Sequence, residues 1–137
     1  MESMDLDILA KKLKSLTVKM PIEVLALWEA SEDAWCLKSI DGTIIYVNKS
    51  YHDLITPISL KNESSLRPFR EIIKDHDNMV RRKGLKVDAV GVLALDDGKE
   101  LRAFFCERMP FYNRNAKVSG IISHIGTLNA ITPNFFI

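Results

Sequence analysis

Apolar residues recur along the first segment at alternating spacings of three and four: Leu6, Leu9, Leu13, Leu16 and Met20. That spacing draws a narrow seam along one side of a helix. Acidic side chains (Glu2, Asp5, Asp7) come first and lysines (Lys11, Lys12, Lys14, Lys19) later, an order that suits the helix dipole. Two readings fit the seam. It packs on its own domain, or it pairs with the same seam of a second copy; a homodimer is the expectation taken forward. Pro21 ends this helix and can open a short second one over Ile22–Ala30, with Ile22, Leu25 and Trp28 on its apolar side.

The period then changes. Ala34–Lys38 and Thr43–Val47 are β-rich runs joined across Asp41-Gly42, a strong turn signal, and together they predict a hairpin. Asn48 follows directly, placed to cap a helix from Lys49 whose inward face is Tyr51, Leu54 and Ile55 and which Thr56-Pro57 should end. Residues 58–67 read as irregular. Pro68 suits a helix start, and from there Phe69, Ile72, Ile73, His76, Met79 and Val80 form a helical stripe. Arg81-Arg82-Lys83 load its C-terminus and Gly84 is a natural C-cap. Three long strands follow: 86–95, a turn at Asp96-Asp97-Gly98, 100–109, a loop over 110–117, and 118–128. An isolated hairpin is marginal in water, so the first hairpin should join this meander. The expectation is an α+β domain: a five-stranded antiparallel sheet with helices on one face, preceded by an N-terminal helix.

Composition narrows the function classes. The chain has 137 residues, 47% of them apolar, which suits one domain with a sizeable core. Nineteen basic side chains against eighteen acidic ones leave a formal charge of +1, so no global field draws this segment to nucleic acid or to an anionic membrane. No apolar run reaches the ~20 residues that span a bilayer, and the acidic N-terminus lacks a signal pattern; the expected location is the cytoplasm. Cys36 and Cys106 form no metal or redox motif and read as buried thiols.

The ordered elements resemble a PAS domain. The stretch Ser31–Lys38 followed by Asp41-Gly42-Thr43-Ile44-Ile45-Tyr46-Val47-Asn48 looks like the opening of that family. His76-Asp77 before a long strand, Arg108-Met109-Pro110-Phe111-Tyr112 and Val118–Ile122 look like its second half. The resemblance covers about residues 22–129. The division it implies is a dimerisation helix at 1–20, a PAS-like domain at 21–130, and a tail or linker start at 131–137. Two departures stand out: the family's Asp-Ile-Thr exit is Gly126-Thr127-Leu128-Asn129-Ala130-Ile131-Thr132 here, and an Asn-Cys-Arg-Phe-Leu-Gln motif is missing, which argues against flavin-based light sensing. The arrangement is similar to the N-terminal PAS sensors of bacterial helix-turn-helix regulators, which implies an effector following this chain. Its last residues, Phe135-Phe136-Ile137, fit either a continuation into that effector or a tail tucked on the sheet.

For a sensor of this kind the resemblance implies a small cavity between sheet and helices. Phe69, Ile73, His76, Ile44, Tyr46 and Phe105 are its candidate lining, most of them equally readable as plain core. In haem-binding members a histidine from this region ligates the iron; one histidine without a recognisable partner favours instead a hydrogen-bonded core or rim residue at His76. His52 and His124 have no metal spacing. Which strand face looks inward is open, since a slip of one residue exchanges the faces. Trp35, Leu37, Phe104 and Cys106 are read as an apolar outer surface that the N-terminal helix would cover. Arg81-Arg82-Lys83 read as a solvated helix end; Glu71, Asp75 and Asp77 cluster on one helix, with Glu71 and Asp75 on a common exposed flank, and form no catalytic carboxylate pair. No nucleophile–base pair or phosphate loop is present, so a binding and relay module is expected, not an enzyme. A ligand-free structural dimerisation domain and a small α+β enzyme using the same cavity are the rivals.

Overall fold

The computed structural model describes residues 20–61, 63–95 and 99–128. The elements run α1 (Ile22–Ala30), β1 (Ala34–Ser39), β2 (Ile44–Val47), α2 (Lys49–Lys61), α3 (Glu63–Lys83), β3 (Val87–Leu95), β4 (Glu100–Tyr112) and β5 (Val118–Leu128). The strands form one sheet in the order β2-β1-β5-β4-β3, antiparallel throughout. The first hairpin does join the meander, with Cys36 opposite Ser123 on β5. The class is α+β, as expected from the pattern. The seam Leu6, Leu9, Leu13 and Leu16, the turn at 96–98 and the tail at 131–137 lie outside the described residues; of the seam, Met20 alone is seen, buried beside α1.

The turn chemistry works as the sequence predicts. Gly42 takes φ +90° between β1 and β2, and Gly84 takes φ +63° and donates its N–H to Val80 as the C-cap of α3. Asn48 caps α2: its Oδ1 accepts from the Tyr51 N–H at 3.0 Å.

Three boundaries differ. The helix expected to stop at Pro57 continues to Lys61, and the region read as irregular is helical from Glu63 onward, with Pro68 inside α3. Each proline removes one N–H from the ladder, and the carbonyl that Pro57 leaves free belongs to the exposed Asp53, which water can satisfy. The strand expected to end at Met109 runs through Pro110 to Tyr112. Pro110 pairs with Ile121 on β5, whereas β3 reaches only as far as the Val87–Arg108 pair, so Pro110 has no strand on its other side to miss its N–H.

The sheet is packed on both faces. On one, α1 and Met20 build a core from Leu25, Trp28, Leu37 and Tyr46, with Trp35, Phe111 and Ile122 around it. Over the other lie α2 against β1, and α3 against β3, β4 and β5. The second face carries the functional candidates.

Candidate functional site

The concave face and the helices α2 and α3 enclose a cleft of about 1000 Å³. Alternation along the strands decides what enters it. Phe104, Cys106 and Arg108 point in from β4; Ile121, Ser123 and Ile125 point in from β5; Cys36 and Lys38 point in from β1. On the helices, Phe69, Ile73, His76 and Asp77 of α3 and Tyr51 and Ile55 of α2 complete the wall. Gly91 on β3 lets α3 come close: a Cβ there would lie 2.9 Å from Phe69 Cε1.

Four of the six sequence-predicted lining residues reach this cleft: Phe69, Ile73, His76 and Ile44, the last half-exposed at its mouth. Tyr46 and Phe105 sit on the opposite face. Phe105 follows from strand alternation, since Phe104 and Cys106 take the inner side; those two therefore do not belong to the outer surface they were read into. Tyr46 follows from a β-bulge. Leu37 pairs with Tyr46 but Lys38 pairs with Ile44, so Ile45 is an extra residue that turns Ile44 and Tyr46 to opposite sides. Tyr46 instead stacks near Trp28 and donates its hydroxyl to Glu29; burial, then that carboxylate, push its ionisation upward.

Sequence reasoning missed the polar heart of the cleft. Lys38 Nζ donates to Asp77 Oδ2 at 2.7 Å, and Arg108 Nε lies 3.1 Å from Asp77 Oδ1 without hydrogen-bond alignment. Asp77 and Arg108 are buried, and so is Ser123, whose hydroxyl has no hydrogen-bond partner among the described residues. The signals were available. Asp77 lies four residues beyond Ile73 and eight beyond Phe69, on the inward stripe, apart from Glu71 and Asp75; Ile72 and Met79, read into the stripe, are exposed. Arg108 shares strand parity with Phe104 and Cys106. Both thiols remain protonated near neutrality: burial pushes Cys36 up to about 12 and raises Cys106 as well.

A row of rings crosses the outer face. Trp28 stacks on Trp35 at 5.3 Å between centroids, Trp35 on His124 at 4.2 Å, and Phe105 meets His124 edge-on at 5.3 Å. His124 Nε2 lies 2.7 Å from Asp33 Oδ2 and its Nδ1 3.4 Å from Glu107. His124 thus holds the start of β1 to β5 and β4. Among the described residues, no group of three or more His, Cys, Asp or Glu side chains converges as a metal site would require.

No protein-family model matches the chain, and no curated protein sequence matches it. Solved structures do. The PAS domain of Bordetella pertussis BvgS superposes with a TM-score of 0.64 at 13% identity, over 84% of this chain and 91% of that one. VqmA in its ligand–DNA complex from Vibrio cholerae gives 0.63 at 18% identity, over 85% of this chain and 55% of VqmA; VqmA bound to DPO gives 0.61 at 19% identity, over 80% and 59%. The chain thus spans little more than half the length of the VqmA chains it matches. No helix among the described residues is long and apolar enough to cross a membrane. Strand order, the helices roofing the concave face and these neighbours agree: the chain has the PAS fold.

Proposed function

We propose that this chain is a cytoplasmic PAS sensory and dimerisation module. It takes a small molecule into the cleft beneath α3 and relays its presence to an attached effector, a transcriptional regulator. It is not an enzyme. The observation that carries the reading is the cleft itself: apolar walls around a few convergent buried polar groups, the usual anatomy of a small-molecule site. VqmA, described as a dimer in the absence of target DNA and, in another structure, in a complex with ligand and DNA, supports the choice of effector. In this reading residues 1–20 form the dimer contact through Leu6, Leu9, Leu13 and Leu16, while Met20, buried in the chain's own core, anchors the segment to α1, and the effector follows the tail or linker start at 131–137. A ligand that prefers one placement of α3 biases the dimer through the sheet.

The test is a thermal-shift screen of small metabolites on the purified chain. A ligand at a hundredfold excess over its Kd adds about 2.7 kcal/mol, several degrees in a domain of this size. We expect saturable stabilisation that Ile73→Trp, which fills the cleft, abolishes. Stabilisation that persists in the filled variant, or none at all, rejects the sensory role.

A further inference from the structure

Two cations and one carboxylate meet at the floor of the cleft. Arg108 has 5% of its side chain exposed, Lys38 15% and Asp77 12%. A buried charge without a counter-ion is costly, and Asp77 can balance only one of the two. The Arg108 Nε–H is not aligned on Asp77, and the Ser123 hydroxyl beside it is unused among the described residues. Ser123 pairs across the sheet with both Arg108 and Cys36, so hydroxyl and guanidinium share one spot on the concave face. Cys36 and Cys106 remain thiols and add no negative charge there. The cleft as a whole is lined by five basic and three acidic side chains. Elsewhere the cleft has apolar walls, with Phe69, Ile73, Phe104 and Ile125.

Resting on the sensory reading above, we infer that the ligand is a small organic anion, a carboxylic acid with an apolar body. Its carboxylate takes the Arg108–Ser123 corner, accepting from guanidinium and hydroxyl and supplying the missing negative charge. Its body lies between α3 and the sheet. Lys38 stays on Asp77 and holds α3 in place.

The experiment compares carboxylates with their neutral isosteres on the intact chain. Benzoate, phenylacetate and hexanoate are titrated beside benzamide, phenylacetamide and hexanamide, with affinity read by calorimetry. At least one acid should bind about tenfold or more tightly than its amide. Arg108→Met should erase that preference, and Arg108→Lys should keep part of it, with far-UV circular dichroism confirming the fold. If Arg108→Met does not fold, Lys38→Met removes the other, less buried cation and should weaken the preference. Amides that bind as well as the acids would overturn the anion assignment and leave the sensory role standing. A preference that survives both variants would also overturn it. If neither series binds while the metabolite screen succeeds, the anion assignment falls alone; if both fail, the two readings fall together.

Discussion

Asn48 is 1% exposed, and its side chain makes four hydrogen bonds. Nδ2 donates to the carbonyls of Trp28 and Asp33 at 2.6 and 2.9 Å; Oδ1 accepts from the N–H groups of Trp35 and Tyr51 at 2.9 and 3.0 Å. One amide thereby ties the end of α1, the start of β1 and the first turn of α2. Asn48→Ala leaves those backbone groups short of partners and should cost about 3 kcal/mol, more than a cap alone is worth. Asn48→Asp keeps both acceptor bonds but sets a carboxylate against two carbonyl oxygens, so it should cost a similar amount. Urea denaturation reads both as a lower midpoint at unchanged slope. A loss near 1 kcal/mol in Asn48→Ala would mean that water takes over most of these bonds. The capping role was legible in the sequence, because an asparagine between a strand and a helical stripe has a local meaning. The other three bonds were not, because they depend on where the chain returns Trp28 and Asp33.

Among the elements, sequence patterns located every described strand, and they erred where one residue changes a local rule. Period-two reasoning put Ile44 and Tyr46 on one face, and a single bulged residue separates them. Proline read as a stop at positions 57 and 110, but one leaves an orphan carbonyl facing water and the other stands beyond the last pair of β3. The cross-strand pair Phe105–Gly126 shows how β4 and β5 are held in register. The Phe105 ring lies over the glycine, so that a Cβ at Gly126 would meet Phe105 Cε1 at 2.3 Å and Cζ at 2.4 Å. Any side chain there must push the ring off its place beside His124. Gly126→Ala should therefore destabilise by about 1–3 kcal/mol, the range for overpacking. In a Phe105→Ala background the added methyl meets no ring, and most of that cost should vanish. A double-mutant cycle measures the difference; additive effects would show that the ring does not hold the glycine.

Across the whole molecule, the two faces of the sheet are finished to different degrees. The inner face is roofed by α2 and α3. On the outer face α1 and Met20 cover the β2, β1 and β5 side, while Val90, Val92 and Leu101 on β3 and β4 stay 68%, 50% and 73% exposed. Met20, the last position of the apolar seam, is 5% exposed and packed in the α1 core on this same outer face. The proposed dimer would set a second copy's seam on this face, covering the exposed apolar residues with a stripe narrower than a core helix needs. In the proposed reading this links the cleft to the dimer contact, since the strands that carry Arg108 and Ser123 inward present Phe105 and His124 outward. The chain should therefore be a dimer at micromolar concentration, with its mass read by light scattering after gel filtration. Replacing Leu9 and Leu13 together with Asp should yield monomers that keep the ring row and the cleft, so far-UV and near-UV circular dichroism should change little. A parent chain that is already monomeric would mean that the seam folds back on its own sheet, and a dimer that survives both substitutions would place the contact elsewhere on the molecule.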